Sequence, residues 1–132
     1  MRTTVRCILT AALIAGFTVV VRGATIKVAA GEDGAIQEGV AAARAGDILV
    51  LDAGTYTEPD GVLITKSLTI QGTGDTPSTT TVQTHANKGQ ANRPVFRIVG
   101  GRNVILRNMT IRHGVADGAI SNSTDGGGGV YN

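Results

Sequence analysis

Short stretches in which apolar and polar residues alternate recur along this chain. In the segment 103–114, NVILRNMTIRHG, Val104 and Leu106 share one face of a strand, and the pattern slips by one position at Asn108. Asn tolerates left-handed backbone conformations better than most residues. The pattern therefore predicts two short strands that are joined by a bend at Asn108.

A second segment has nearly the same design. It is 61–72, GVLITKSLTIQG, and its Thr69 lies 41 residues before Thr110 of the later segment. Between the two lie 79–85, TTTVQTH, and 95–101, VFRIVGG, which predict further short strands. We interpret the spacing as two turns of a repeating structure, each of roughly 20 residues.

One amphipathic helix is predicted before these repeats. The segment 35–44, AIQEGVAAAR, places Ile36 and Val40 on one face at helical spacing. Asp33 is the expected N-cap, and Gly46 is the expected stop signal. The helix is short and needs a surface on which to lie.

These elements favour stacked coils of parallel strands. A continuous apolar run at 48–51 predicts a strand that is covered on both faces. Gly72 and Gly114, which end the two similar segments, are expected to release the chain from the strand by adopting conformations that only glycine reaches easily. The predicted fold class is all-β, a parallel β-helix solenoid whose N-terminal helix covers the first coil. The segment 126–132, GGGGVYN, resembles the opening of another coil, so we expect a longer protein that continues beyond it.

The same residues resemble the N-terminal part of right-handed parallel β-helix proteins of the pectin-lyase-like superfamily. The stretches that carry the resemblance are 35–47, 48–58, 61–74 and 103–114, and the glycine-rich end resembles the repeats of secreted bacterial members. The resemblance implies a right-handed solenoid. It does not fix an activity, since that superfamily includes lyases, hydrolases, epimerases and non-catalytic surface proteins.

The first residues resemble a secretory signal. Arg2 and Arg6 form a basic start, and 7–21 is an apolar run of about 15 residues. A membrane-spanning helix needs about 20 apolar residues, so we expect no stable transmembrane span. The predicted location of the protein is secreted or at the cell surface.

Cleavage of this signal is expected after Gly23. Cleavage after Ala24 is the second choice, because it would place Arg22 at the unfavourable third-last position. The predicted domains are therefore a signal peptide, 1–23, and a cap with the first coils, 24–132. Loss of the three arginines of the signal changes the formal net charge from +2 to −1.

Charge and aromatic content add little evidence for a specific chemistry. The front half of the predicted mature chain is acidic, whereas a later stretch has a basic series that consists of Arg93, Arg97, Arg102, Arg107 and Arg112. Such a series can mark a binding face, although outward strand positions often carry charge for solubility alone. The predicted mature chain has three aromatic residues, so its core must be built mainly from Ile, Val and Leu.

The candidate substrate-binding residues are Arg102, Arg107, Arg112 and His113. The three arginines recur every five residues, and a shared groove is the hypothesis that this spacing suggests. No catalytic residue and no metal site is predicted, because His85 and His113 stand apart and the acidic residues do not converge. No cofactor is evident from the sequence, and calcium is a possible ligand only if the protein is a lyase.

The predicted function is a secreted or cell-surface scaffold, structural or binding, with a polysaccharide or another surface component as its partner. The alternative is a polysaccharide lyase or a related carbohydrate-active enzyme, similar to pectate lyases, whose active site lies largely beyond Asn132. We expect no nucleic-acid partner, and the sequence leaves the oligomeric state open.

Overall fold

The structure is a computed structural model that describes residues 23–115 and 128–132. The predicted signal up to Arg22 and residues 116–127, which include the first two residues of the glycine-rich end, lie outside the described residues. In the part of the chain that is described, no helix is both long and apolar enough to span a bilayer.

The described residues form ten short strands and one α-helix. The helix, α1, spans Ala35–Ala42, within the predicted segment. A single 3-10 turn lies at Pro77–Thr79. The strands are β1 (Thr25–Val28), β2 (Ile48–Leu51), β3 (Gly54–Thr57), β4 (Val62–Ile64), β5 (Leu68–Gly72), β6 (Thr80–Gln83), β7 (Phe96–Ile98), β8 (Val104–Arg107), β9 (Thr110–Arg112) and β10 (Val130–Tyr131).

These strands pair in parallel within three small sheets. The first sheet has the order β1-β2-β5-β8, the second β3-β6-β9 and the third β4-β7-β10. From β2 onward the chain enters the first, second and third sheets in turn, three times over. The strands that the sequence predicts at 48–51, 79–85 and 95–101 are confirmed.

The predicted fold class, an all-β right-handed parallel β-helix, is wrong. The content is mixed, with 11% helix and 37% strand, and no solenoid is detected among the described residues. The strands are only two to five residues long, so they form small separate sheets. The helix also departs from an all-β design, because its Ile36 and Val40 are buried members of the hydrophobic core.

The predicted equivalence of the two similar segments is also wrong. Thr69 in β5 pairs with Ile105 in β8, whereas Thr110 in β9 pairs with Thr81 in β6. Thr69 and Thr110 therefore belong to different sheets. Between β5 and β8 the chain passes once through the second and third sheets before it returns to the first sheet. It does not make two turns of about 20 residues, because the segment that joins β6 to β7 is long.

The core contains apolar side chains from all three sheets. Leu49 and Ile70, which pair across β2 and β5, are fully buried, and so are the aromatic residues Tyr56 and Phe96. The helix α1 contacts β1, β3 and β4, and each of these is an edge strand of its sheet. The helix thus covers one end of the three-sheet arrangement.

Charged side chains from the connections between strands hold both ends of α1. The residue before the helix is Gly34, which makes no side-chain cap, so the predicted cap at Asp33 is wrong. Instead, the Glu58 carboxylate accepts hydrogen bonds from the N–H groups of Ile36 (2.7 Å) and Gln37 (3.3 Å). A negative charge at this end and a positive charge at the other stabilise the helix dipole.

The positive charge at the other end is Lys66. Its Nζ donates hydrogen bonds to the carbonyl oxygens of Val40 (3.0 Å) and Ala43 (2.6 Å). The side chain of Gln37 adds a third connection, since its Oε1 accepts a 2.7 Å bond from the N–H of Leu63 on the edge strand β4. The helix therefore provides a hydrogen-bond partner for the edge strand β4. In return, side chains from the connections between strands satisfy backbone groups at both ends of the helix.

The bend that the sequence predicts at Asn108 is confirmed. Asn108 has a φ of 54°, and its Nδ2 donates hydrogen bonds to the carbonyl oxygens of Gly72 (2.9 Å) and Gly74 (2.6 Å). The role predicted for Gly72 and Gly114 is wrong, because neither has a positive φ. Gly72 is required by close approach: a Cβ there would lie 2.2 Å from the Asn108 carbonyl oxygen.

We predict that Glu58 makes stability fall as the pH rises from about 4.5 to about 6. Burial raises the pKa of Glu58 from 4.5 to about 6, although the two amide hydrogen bonds oppose the shift. The folded chain therefore holds this proton more tightly than the unfolded chain, which corresponds to about 2 kcal/mol. Urea unfolding across this pH range measures the slope. Glu58→Gln should remove it, whereas Glu32→Gln, at an exposed carboxylate, should retain it; an unchanged slope in Glu58→Gln would contradict the assignment.

We also predict a graded effect of substitutions at Asn108. Asn108→Gly keeps the left-handed backbone but loses the two hydrogen bonds, and should cost about 1–2 kcal/mol of unfolding free energy. Asn108→Ala should cost about 1 kcal/mol more, because alanine is strained at positive φ. Urea denaturation provides the measurement, with the exposed Asn87→Ala as the control. Equal losses for the two Asn108 variants would show that the backbone conformation is not the constraint.

Candidate functional site

Three paired positions of the third sheet form a line of side chains on its outer face. Leu63, Arg97 and Tyr131 are neighbours across β4, β7 and β10. Their neighbours Val62 and Phe96 are fully buried, so the alternation of a strand directs these three outward. With strands 4.7–4.9 Å apart, this outer strip is roughly 10 Å long.

A groove of about 270 Å³ lies beside this strip, at the beginning of β4 and β7. One side of it is formed by the residues that enter β4 and the other by the residues that precede β7 and by β7 itself. Its lining residues are Asp60, Gly61, Val62, Leu63, Asn92, Arg93, Pro94 and Arg97. The groove therefore combines two guanidinium groups, one carboxylate and one amide.

Backbone hydrogen bonds fix both sides of the groove. The N–H of Gly61 donates to the carbonyl of Glu58 (2.8 Å), and the N–H of Val62 donates to the carbonyl of Val95 (2.7 Å). On the far side, the N–H of Val115 donates to the carbonyl of Arg93 (2.8 Å). The polar side chains of the groove are thus attached to backbone that is already ordered.

The charges of this groove favour an anionic ligand. Its two arginines exceed its one carboxylate, and a guanidinium presents planar donors that match a carboxylate. Asn92 offers both donors and an acceptor, and Asp60 offers acceptors for hydroxyl groups. A ligand that carries both carboxylate and hydroxyl groups fits this set.

The candidate arginines from the sequence are distributed over different parts of the structure. Arg102 is exposed in the turn between β7 and β8, Arg107 is exposed at the end of β8 in the first sheet, and Arg112 ends β9 in the second sheet. The structure does not bring them together on one sheet. Their role in substrate binding stays a prediction.

Arg112 and His113 both contact the neighbouring strand of the second sheet. The Nε of Arg112 donates to Oε1 of Gln83 (2.9 Å), whose Nε2 in turn donates to Oγ1 of Thr57 (3.3 Å). His113 has a φ of 51°, and its Nδ1 lies 2.9 Å from the carbonyl oxygen of His85. The hydroxyl of Thr84 donates to the carbonyl of His113. These contacts connect β9 to β6 and its following loop.

Sequence reasoning missed most of the groove. It included Arg93 and Arg97 in a basic series, but it did not connect them with Asp60 or Asn92. Asp60 precedes β4 and Asn92 precedes β7, and only the parallel pairing of these strands brings them together. The available signal was the similar position of both residues, a few places before an apolar strand.

No protein-family model, curated protein or solved structure matches this chain. The resemblance to the pectin-lyase-like superfamily therefore stays a prediction. Within the described ranges, no group of three or more His, Cys, Asp or Glu side chains is arranged to hold a metal ion.

Proposed function

We propose that the chain is an exported binding scaffold that holds an acidic polysaccharide against the outer face of its third sheet. The observation that carries the proposal is the groove lined by Asp60, Asn92, Arg93 and Arg97. The export rests on the predicted signal, and the ligand class rests on the chemistry of the groove.

The arginines supply recognition of the sugar carboxylates. A guanidinium can donate two parallel hydrogen bonds to one carboxylate, and such charge-assisted bonds are roughly twice as strong as neutral ones. Arg93 and Arg97 lie on the same side of the groove, four residues apart. This arrangement suits uronate units, each of which carries one carboxylate.

The remaining groups supply recognition of the sugar rings. Asp60 accepts hydrogen bonds from ring hydroxyls, and Asn92 both donates and accepts. In the outer strip, Tyr131 and the groove residue Leu63 are each 45% exposed on either side of Arg97. A tyrosine ring offers an apolar face and a polar tip, which matches the mixed surface of a sugar.

Backbone hydrogen bonds on both sides of the groove favour binding with little reorganisation. Arg97 lies on β7, whereas Asp60, Asn92 and Arg93 lie in the connections that lead into β4 and β7. An ordered site avoids part of the entropy cost of association. A scaffold that is exposed to a long, repetitive polymer gains further affinity when several copies engage it. The groove therefore suits retention at a polysaccharide surface.

We predict that polygalacturonate and alginate bind, whereas neutral dextran does not. Arg93→Ala and Arg97→Ala should each weaken binding to the acidic polymers by about tenfold, which is the loss expected for one charge-assisted interaction. Isothermal titration calorimetry of the full chain measures the affinities. Raising the ionic strength should weaken the interaction of the unmodified protein, because salt screens these charges.

The controls are Lys27→Ala and Lys88→Ala, which remove exposed positive charges outside the groove. They should leave affinity within a factor of about two, and circular dichroism checks that every variant is folded. Equal losses in all four variants would indicate non-specific attraction and overturn the assignment of the groove. Release of unsaturated uronates during the titration would instead identify the polysaccharide lyase that the sequence raised as the alternative.

A further inference from the structure

Asp47 is a buried carboxylate that connects the start of the described chain to the end of the helix. It is 6% exposed. Its Oδ1 accepts a hydrogen bond from the backbone nitrogen of Ala24 (2.8 Å), and its Oδ2 accepts one from that of Arg44 (2.8 Å). These two bonds, first that from Arg44, hold the pKa of Asp47 below its usual value. The group is therefore ionised at neutral pH and already accepts a donor from Ala24.

Ala24 is tied to the first sheet by both of its backbone groups. Its carbonyl oxygen accepts a 2.9 Å bond from the N–H of Ile48, in addition to the bond from its nitrogen to Asp47. The residue before it is packed closely, since a Cβ on Gly23 would lie 1.7 Å from the carbonyl oxygen of Gly46. Position 23 thus accepts only glycine. Ala24, the next residue, is held by hydrogen bonds at both its nitrogen and its carbonyl oxygen.

We propose that Asp47 is the binding site for the mature N-terminus, which is created when a signal peptidase cleaves after Gly23. Hydrolysis of the Gly23–Ala24 peptide bond consumes one water and leaves a carboxylate on Gly23 and an amine on Ala24, which takes up a proton. The amide N–H that faces Oδ1 becomes an ammonium group. The hydrogen bond of the precursor becomes an ion pair. The inference rests on the predicted signal and is independent of polysaccharide binding.

The geometry distinguishes the two cleavage points that the sequence allows. Cleavage after Gly23 keeps both backbone hydrogen bonds of Ala24 and adds a charge to one of them. Cleavage after Ala24 would delete both bonds and leave a buried carboxylate with one donor fewer, which is costly. The close packing of Gly23 on Gly46 also means that the peptidase must act before this part of the chain folds.

The ion pair has a defined pH dependence. A free α-amino group has a pKa of about 7.7–8.0, and a neighbouring carboxylate raises it. The pair's contribution to stability is therefore complete below about pH 8 and is lost as the pH rises through the raised pKa. The other charged groups that face Asp47 are Arg44 and Lys66, both positive. The positive charges of Arg44 and Lys66 favour the ionised form of Asp47. They also repel the protonated α-amino group, which partly offsets the rise in its pKa.

The experiment compares the charged N-terminus with a neutral one. The full precursor is exported from a bacterial host, and mass spectrometry determines its first residue, which should be Ala24. Part of the product is acetylated selectively at the α-amino group, which keeps the N–H that faces Oδ1 and removes only the charge. At pH 7 the free form should have a folding equilibrium constant about tenfold higher than the acetylated form, and the difference should disappear at about pH 10.

Asp47→Asn tests whether that difference arises from this contact. In this variant the free and acetylated forms should be equally stable, whereas in the control Asp75→Asn the tenfold difference should persist. If Asp47→Asn does not fold, NMR titration of the α-amino group in the unmodified protein replaces it, and a pKa above 8 is expected. A different first residue, equal stability of the free and acetylated forms, or an α-amino pKa of 7.7–8.0 would each overturn the proposal.

Discussion

The fold depends on two side-chain contacts that close the ends of one short helix. Eight residues are too few for a helix that is stable alone in water, and α1 has no side-chain cap of its own. Glu58 and Lys66 supply the missing partners at its two ends, and each lies more than 20 residues after the backbone groups that it binds. With its ends held, the helix can place Ile36 and Val40 in the core and cover the edges of all three sheets. Helix and strands therefore stabilise each other.

Local features of the fold could be predicted from the sequence because they depend on neighbouring residues. The apolar run at 48–51 is a strand, the helix lies within 35–44, and Asn108 makes a left-handed bend. Features that depend on distant residues were missed. Nothing near Glu58 in the sequence marks it as a helix cap, because its partners lie 21 and 22 residues earlier. The equivalence of the segments 61–72 and 103–114 was predicted wrongly for a similar reason, because similar sequences do not determine which strands pair.

The uneven distribution of charge has different explanations in the two halves. In the acidic front half, Glu58 and Asp47 are almost fully buried and bind backbone N–H groups, so these charges serve the fold. In the basic later half, Arg93 and Arg97 line an open groove, and Arg112 donates a hydrogen bond to Gln83 of the neighbouring strand. Net charge alone would not separate these positions. The strand pairing does, because it places Arg93 and Arg97 beside the third sheet and Arg112 in the second.

The unequal lengths of the connecting segments have a consequence for how this molecule could diversify. Partners in the first sheet are 21 residues apart between β2 and β5 but 36 apart between β5 and β8, and the segment after β6 contributes most of the excess. That segment ends in the residues that form one side of the groove. Insertions, deletions and substitutions in the exposed part of that segment would alter the lining of the groove while leaving the buried core intact. Selection can therefore act on the groove and on foldability through separate stretches of the same gene.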